Sequence, residues 1–174
     1  RRIPPQFRRD TAFVAASATD SQRKAKVICA AAPDREVPAY IPLAFPFAEF
    51  CFDRHSACIA AKKKISELSS YRFLWCGSDL TAFGVADALS DAGMIPGRDI
   101  FLVGHDNIEG ISNFRGEAFL STIDTRWEER GRLTAQTALE QIASPAPCRI
   151  DLPSVYIPRR SFPDAFPCEK QKMT

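Results

Sequence analysis

Phe73-Leu74-Trp75-Cys76-Gly77-Ser78-Asp79 opens the stretch that decides the fold, and Ile100-Phe101-Leu102-Val103-Gly104-His105-Asp106-Asn107 closes it. Phe73–Cys76 and Ile100–Val103 are short, continuous apolar runs, each stopped by a glycine. That is the pattern of strands buried on both faces of a parallel sheet. Between them, Ser78 or Asp79 can cap a helix whose Ala82, Phe83, Val85, Ala86 and Leu89 gather on one side. Gly93 supplies a left-handed stop, and Pro96-Gly97 turns the chain back. Strand, helix and strand fit one right-handed crossover with parallel strands. Ligands of such sheets sit outside the carboxyl ends of the strands. Gly77-Ser78-Asp79 and Gly104-His105-Asp106-Asn107 both fall there, so two polar clusters are expected to converge on one crevice.

Upstream, Phe13–Ala16 reads as a short buried strand, followed by a polar loop and a helix over about 22–31. Tyr40–Leu43 suggests a strand, but Pro38, Pro42 and Pro46 make it an irregular or edge element. A helix is expected over about 54–69, with Cys58, Ile59, Ile65 and Leu68 as an inner stripe and Lys62-Lys63-Lys64 mostly outside. Downstream, a loop or short helix follows Asn107 and 118–123 looks extended. Trp127–Ala143 is a helix with Trp127, Gly131, Thr134, Ala135, Ala138 and Ile142 on one side. Val155–Ile157 is a last short strand, and the proline-bearing tail from Phe162 is expected to be loosely ordered. Strand and helix alternate four times, which is an α/β chain with an open parallel sheet flanked by helices.

The 174 residues are 45% apolar and 25% charged, an ordinary composition for a soluble globular protein. A net charge of +2 is too mild to argue for nucleic acid or a membrane surface by itself. Arg1, Arg2, Arg8 and Arg9 form a basic cluster that reads as a solvated leader. No apolar run approaches the ~20 residues of a membrane span, and no signal-peptide pattern opens the sequence. Cys29, Cys51, Cys58, Cys76, Cys148 and Cys168 show no C-x-x-C pair and no histidine at zinc spacing, so free thiols in a reducing compartment are expected. His55 and His105 make no metal constellation.

Phosphate-cradling glycine loops, a nucleophile elbow and H-E-x-x-H are absent, and no cofactor is implied. What remains is a set of polar side chains at strand ends: Ser17, Asp20 and Arg23; Phe52, Asp53 and Arg54; Ser78 and Asp79; His105, Asp106 and Asn107. Carboxylates accept hydroxyl protons, a guanidinium donates, and an aromatic face covers the C–H side of a sugar ring. Each residue also has a plainer role. Asp79 could only favour its helix N-terminus, Arg23 could only pair across its helix, and Phe52 could be core. Asp106 is hardest to dismiss, because a charge just past a buried strand needs a partner.

The stretch from Phe73 to Gly93, followed by Asp99–Ile108, resembles the effector-binding domain of LacI/GalR-family transcriptional regulators. Leu120-Ser121-Thr122-Ile123 resembles that family's "LTTI" segment, 127–135 the helix after it, and 152–161 its closing strand. Asp20–Val27 resembles the family's "S-x-x-R-x-x-G" helix start more weakly. The resemblance spans 12–161. It implies one subdomain of a periplasmic-binding-protein-like type I fold, with 1–11 as a basic leader and 12–123 as the C-terminal effector-binding subdomain. Residues 124–147 would be a helix crossing to an N-terminal subdomain, and 148–174 the returning strand and tail. Carried over residue by residue, effector contacts fall on Arg23, Phe52, Ser78 and Asp106. Ser78 stands where the family most often has Asn, His105 where it has Phe or Tyr, and Asn107 where it often has Asp. The expected role is a cytoplasmic, homodimeric, non-enzymatic sensor of a sugar-like metabolite, touching DNA only through a headpiece outside this chain. A periplasmic sugar-binding protein of a transport system shares the fold and is the alternative. An α/β enzyme would have only Asp106 and His105 to work with, and no nucleophile beside a base.

Overall fold

The decisive stretch folds as its pattern requires. In a computed structural model, which describes residues 11–16, 22–24, 26–27, 39–44, 53–108 and 116–162, Phe73–Cys76 is strand β3 and Asp79–Asp91 is helix α3. Phe101–His105 is strand β4, parallel to β3. The second run thus begins one residue later than Ile100, which makes an isolated bridge to Pro96. Ser78 is the helix N-cap: its Oγ accepts from the Thr81 N–H at 3.2 Å. Gly93 and Gly97 both have φ of 83°, the left-handed conformation that a stop and a turn need.

Four more strands complete one sheet. They are β1 (Thr11–Ala16), β2 (Ala39–Leu43), β5 (Ser121–Asp124) and β6 (Val155–Ile157), in the order β2-β1-β3-β4-β5-β6. The strands from β2 to β5 pair in parallel. β2 is an edge strand, which is where Pro42 is tolerated. The sheet is not purely parallel, however, because β6 pairs antiparallel to β5. The chain runs from β5 through helix α4 (Trp127–Ala143) to β6, and α4 buries no residue. A parallel return would need a crossover packed on the sheet, and α4 does not supply one.

Side chains alternate across the sheet. Ala12 and Val14 of β1, Ile41 and Leu43 of β2, Leu74 and Cys76 of β3 and Leu102 of β4 join the main core, where Phe83 and Leu89 of α3 meet them. Phe13 points the other way and packs edge-on to Trp75, with ring centroids 5.8 Å apart, and against Tyr40 at 6.0 Å. The helical residues 22–24 and 26–27 fall within the helix expected after β1; the rest of that element lies outside the described residues.

The expected helix over 54–69 is two pieces, α1 (Arg54–Lys63) and α2 (Ile65–Leu68), broken at Lys64. Its inner face also differs from the expected stripe. Leu68 is fully buried and Cys58 and Ile65 pack against the core, as expected, but the buried residues of α1 are Ser56, Ala57, Ala60 and Ala61, and Ile59 is only half-buried. The cause is a close approach to α3: a Cβ on Gly84 would lie 2.5 Å from Ala57 Cβ and 2.5 Å from Arg54 O. Only small residues fit facing that glycine. The strand after 118 is likewise shorter than expected, with 118–120 irregular and β5 starting at Ser121.

Phe162 is not loose. Its ring meets Phe73 at 4.9 Å, and the preceding Ser161 is buried between two strands. Ser161 Oγ accepts from the Ser121 N–H (2.7 Å) and donates to Leu102 O (2.8 Å). The rest of the tail, 163–174, lies outside the described residues, as does the basic leader 1–10.

Candidate functional site at the carboxyl ends of β3, β4 and β5

The strand order places a topological switch between β1 and β3, whose chain connections leave in opposite directions along the sheet. Ligands of open α/β sheets bind beside such a point, beyond the carboxyl ends. Ser78 follows β3 and Asp106 follows β4, so two of the four expected contacts stand on adjacent strands. Arg23 lies in the helical residues after β1 and is exposed. Phe52 lies outside the described residues.

Backbone conformation singles out the same place. Among the described residues, non-glycine positive φ occurs at Asp106 (104°), Asn107 (58°) and Arg126 (56°), all where β4 or β5 ends. Asp106 is well outside the small left-handed region that side chains tolerate. Such strain costs about 1–3 kcal/mol and persists only where the surroundings over-determine it.

The surroundings do so here. Three successive amides each have a fixed acceptor: Asp106 N–H donates to Ile123 O (2.9 Å), Asn107 N–H to Thr122 Oγ1 (3.3 Å) and Ile108 N–H to Asp79 Oδ2 (2.7 Å). Thr122 Oγ1 in turn donates to Asp79 Oδ1 at 2.6 Å. The Asn107 side chain spans two partners, donating to Asp124 Oδ2 (3.1 Å) and accepting from Arg159 Nη2 (3.0 Å). Asp124 Oδ1 also accepts from the Arg126 N–H at 2.7 Å, where α4 begins. The turn is therefore tied to β3–α3, to β5 and to the segment after β6.

Asp106 itself is half-buried, and His105 Nδ1 lies 2.8 Å from its Oδ1. That is the partner its position demands. Asp79 is fully buried, and burial pushes its carboxyl up to about 6; the hydrogen bonds from Thr122 and Ile108 pull the other way, the nearby Asp106 raises it and Arg159 lowers it. Besides standing in the first turn of α3, it therefore holds partners on β5 and in the turn after β4. β4 makes room for it: a Cβ on Gly104 would sit 2.1 Å from Asp79 Oδ1.

Other polar residues of the expected set are used elsewhere. Asp53 caps α1, accepting from Ser56 N–H at 2.9 Å and Ser56 Oγ at 2.7 Å, and these bonds hold its carboxyl below the usual range. Arg54 makes a two-bond pair with Asp87 of α3, at 2.6 and 2.8 Å. Thr122, Asp124 and Arg159 were not among the expected site residues. Thr122 and Arg159 both lie in segments with a family resemblance, 120–123 and 152–161, but their roles here depend on partners on other elements, Asp79 and Asn107. Two concavities lie away from this site. One of about 410 Å³, between Met94, Ile95, Phe119 and Arg160, opens at the opposite end of the sheet. The other, about 1030 Å³, is a groove between α4 and residues 148–153.

No family model and no curated protein matches the chain. Solved structures do. A LacI-family transcriptional regulator from Enterococcus faecium with bound ribose superposes with a TM-score of 0.69 at 20% identity, over 88% of this chain and 56% of that one. A LacI-family regulatory protein from Corynebacterium glutamicum gives 0.68 at 19% identity, over 88% and 58%. The Lac repressor dimer bound to operator and an anti-inducer gives 0.70 at 17% identity, over 88% and 52%. The chain thus spans a little over half the length of these proteins. Its fold is the one LacI-family regulators use in their effector-binding region, an α/β sheet of mostly parallel strands flanked by helices.

Proposed function

We propose that this chain is the C-terminal effector-binding part of a LacI-type transcriptional regulator, sensing a sugar or related polyhydroxylated metabolite. The observation that carries this reading is the strained Asp106, braced from three elements at the carboxyl end of β4 and one strand from Ser78. A carboxylate held half-exposed at an energetic cost suits a group that accepts hydroxyl protons from a ligand. Neighbouring structures of the same fold include proteins with bound ribose and a cellobiose complex. In this reading Asp106 accepts, Arg23 donates from the adjacent helical segment, Phe52 walls the ring, and Ser78 adds a hydroxyl while capping α3. Residues 12–123 form the effector-binding subdomain. Residues 124–147 carry α4 across to an N-terminal subdomain, and 148–174 return.

The regulator is non-enzymatic, cytoplasmic and homodimeric in this proposal, and reaches operator DNA through a headpiece outside the chain. Among the described residues no helix is long and apolar enough to cross a membrane. The face of α4 fits the assignment: Trp127, Leu139 and Ile142 are 55%, 70% and 80% exposed, an apolar surface of the kind a second subdomain covers. The test is calorimetric titration of a monosaccharide panel, beginning with D-ribose, together with a reading of the coding sequence upstream of Arg1. A saturable sugar site and a helix-turn-helix upstream are expected. A secretion signal upstream would instead assign the chain to a transport-system binding protein.

A further inference from the structure

The turn that presents Asp106 is bonded to a carboxylate that is itself fully buried. We propose that Asp79 is a positioning residue: by fixing which way the Thr122 hydroxyl points and by holding the Ile108 amide, it sets the conformation of 106–108 and so the placement of the Asp106 carboxylate. What the turn is for rests on the effector-binding reading; that Asp79 sets it does not.

Hydrogen-bond direction ties Asp79 to the turn. Thr122 Oγ1 has one proton, and an ionised Asp79 Oδ1 at 2.6 Å can only accept it. The oxygen lone pairs of Thr122 are then turned outward, and one receives the Asn107 N–H. The second Asp79 oxygen holds the Ile108 N–H. One carboxylate thereby satisfies two of the three amides of the strained turn, one directly and one through Thr122. A buried carboxylate without a cationic hydrogen-bond partner is costly, and a plain core would use an apolar residue. Instead β4 places Gly104 where any side chain would collide with Asp79 Oδ1. The packing is built around the charge.

Protonating Asp79 would weaken both of its bonds at once, since a neutral carboxyl accepts the Thr122 hydroxyl and the Ile108 N–H less strongly than a carboxylate does. Asp106 and its partner His105 on the β4 side, Arg159 from beyond β6 and the Cys76 thiol of β3 are the titratable groups that bear on it. The inference is tested by amide hydrogen exchange on the full chain without any effector, each rate normalised to its unstructured value. In the wild-type chain, protection at Asn107 and Ile108 should fall roughly tenfold between pH 7 and pH 5, the loss of about one hydrogen bond, while protection at Leu74 and Leu102 should not fall. In Asp79→Asn, which offers one accepting oxygen instead of two, both turn amides should be less protected at pH 7 and the pH step should vanish. Should that variant not fold, Thr122→Val and Thr122→Ser make the same comparison: loss at Asn107 with Val, retention with Ser. Wild-type protection at both amides in Asp79→Asn would overturn the proposal. So would a loss shared in proportion by Leu74 and Leu102, which would mark a merely global effect. Failure of D-ribose and the other sugars to bind would leave these exchange results standing and count against the effector reading alone.

Discussion

Asp106 carries the functional argument at the scale of one residue, and its φ of 104° makes a separable prediction. Glycine adopts positive φ freely, so Asp106→Gly relieves strain of about 1–3 kcal/mol and loses about 0.5–1 kcal/mol to chain entropy. The half-exposed pair with His105 is worth at most about 1 kcal/mol. A thermal melt of Asp106→Gly should therefore show no loss of stability, although the same variant should lose sugar binding. A fall of several degrees would mean that Asp106 is a structural brace. The residue was legible in the sequence because it ends an apolar run with a charge. Its strain was not, since conformation at one position depends on amides fixed by β5 and α3. Asp79 was underestimated for a related reason: its partner Thr122 lies 43 positions away.

At the scale of elements, small residues decide how closely α1 and α3 approach. Alanine in place of Gly84 would raise helix propensity by about 1 kcal/mol. The added Cβ would meet Ala57 Cβ and backbone atoms of Arg54 and Cys58 at 2.5–2.7 Å, and overpacking of this kind costs about 1–3 kcal/mol or more. Packing wins, so Gly84→Ala should lower the urea midpoint; an unchanged or raised midpoint would show that the two helices can separate freely. Ser161 makes a second case. Ser161→Ala strands the Ser121 N–H and the Leu102 carbonyl in a buried place, at about 1–3 kcal/mol for each unsatisfied group. A calorimetric scan should show a loss of at least 2 kcal/mol, and a neutral variant would place water at that clasp. Helix periodicity made α3 and α4 readable to within a residue. It misplaced the inner face of α1, because Cys58 and Ile59 are the more apolar residues while Ala57, Ala60 and Ala61 are the ones that fit. The antiparallel β6 was unreadable from its own Val155-Tyr156-Ile157, since direction depends on where α4 goes.

For the whole molecule, one buried carboxyl sets an unusual pH dependence. The Asp79 pKa rises from an ordinary 3.8 to about 6 on folding, so the native state binds the proton more tightly than the unfolded chain. Its contribution to stability is fully present below about pH 3.8 and is lost as pH rises through about 6. The Asp79 contribution should therefore increase by about 1 kcal/mol from pH 7 to pH 5, read as the difference between wild type and Asp79→Asn in urea unfolding at each pH. An opposite sign would mean that Asp79 is stabilised as an ion. The stability gained by that proton would come with a loosened turn, so acid should favour the fold and disfavour the site. The most direct measurement of the central claim is isothermal titration of the sugar panel into wild-type protein and Asp106→Asn, with a melt of each. Loss of one charge-assisted hydrogen bond is about 1.5–3 kcal/mol, or roughly 10- to 150-fold in affinity. Asp106→Asn should show that loss with an unchanged melting temperature; equal affinity beside a lowered melting temperature, or no sugar bound by the wild type, would contradict an effector-binding role for Asp106.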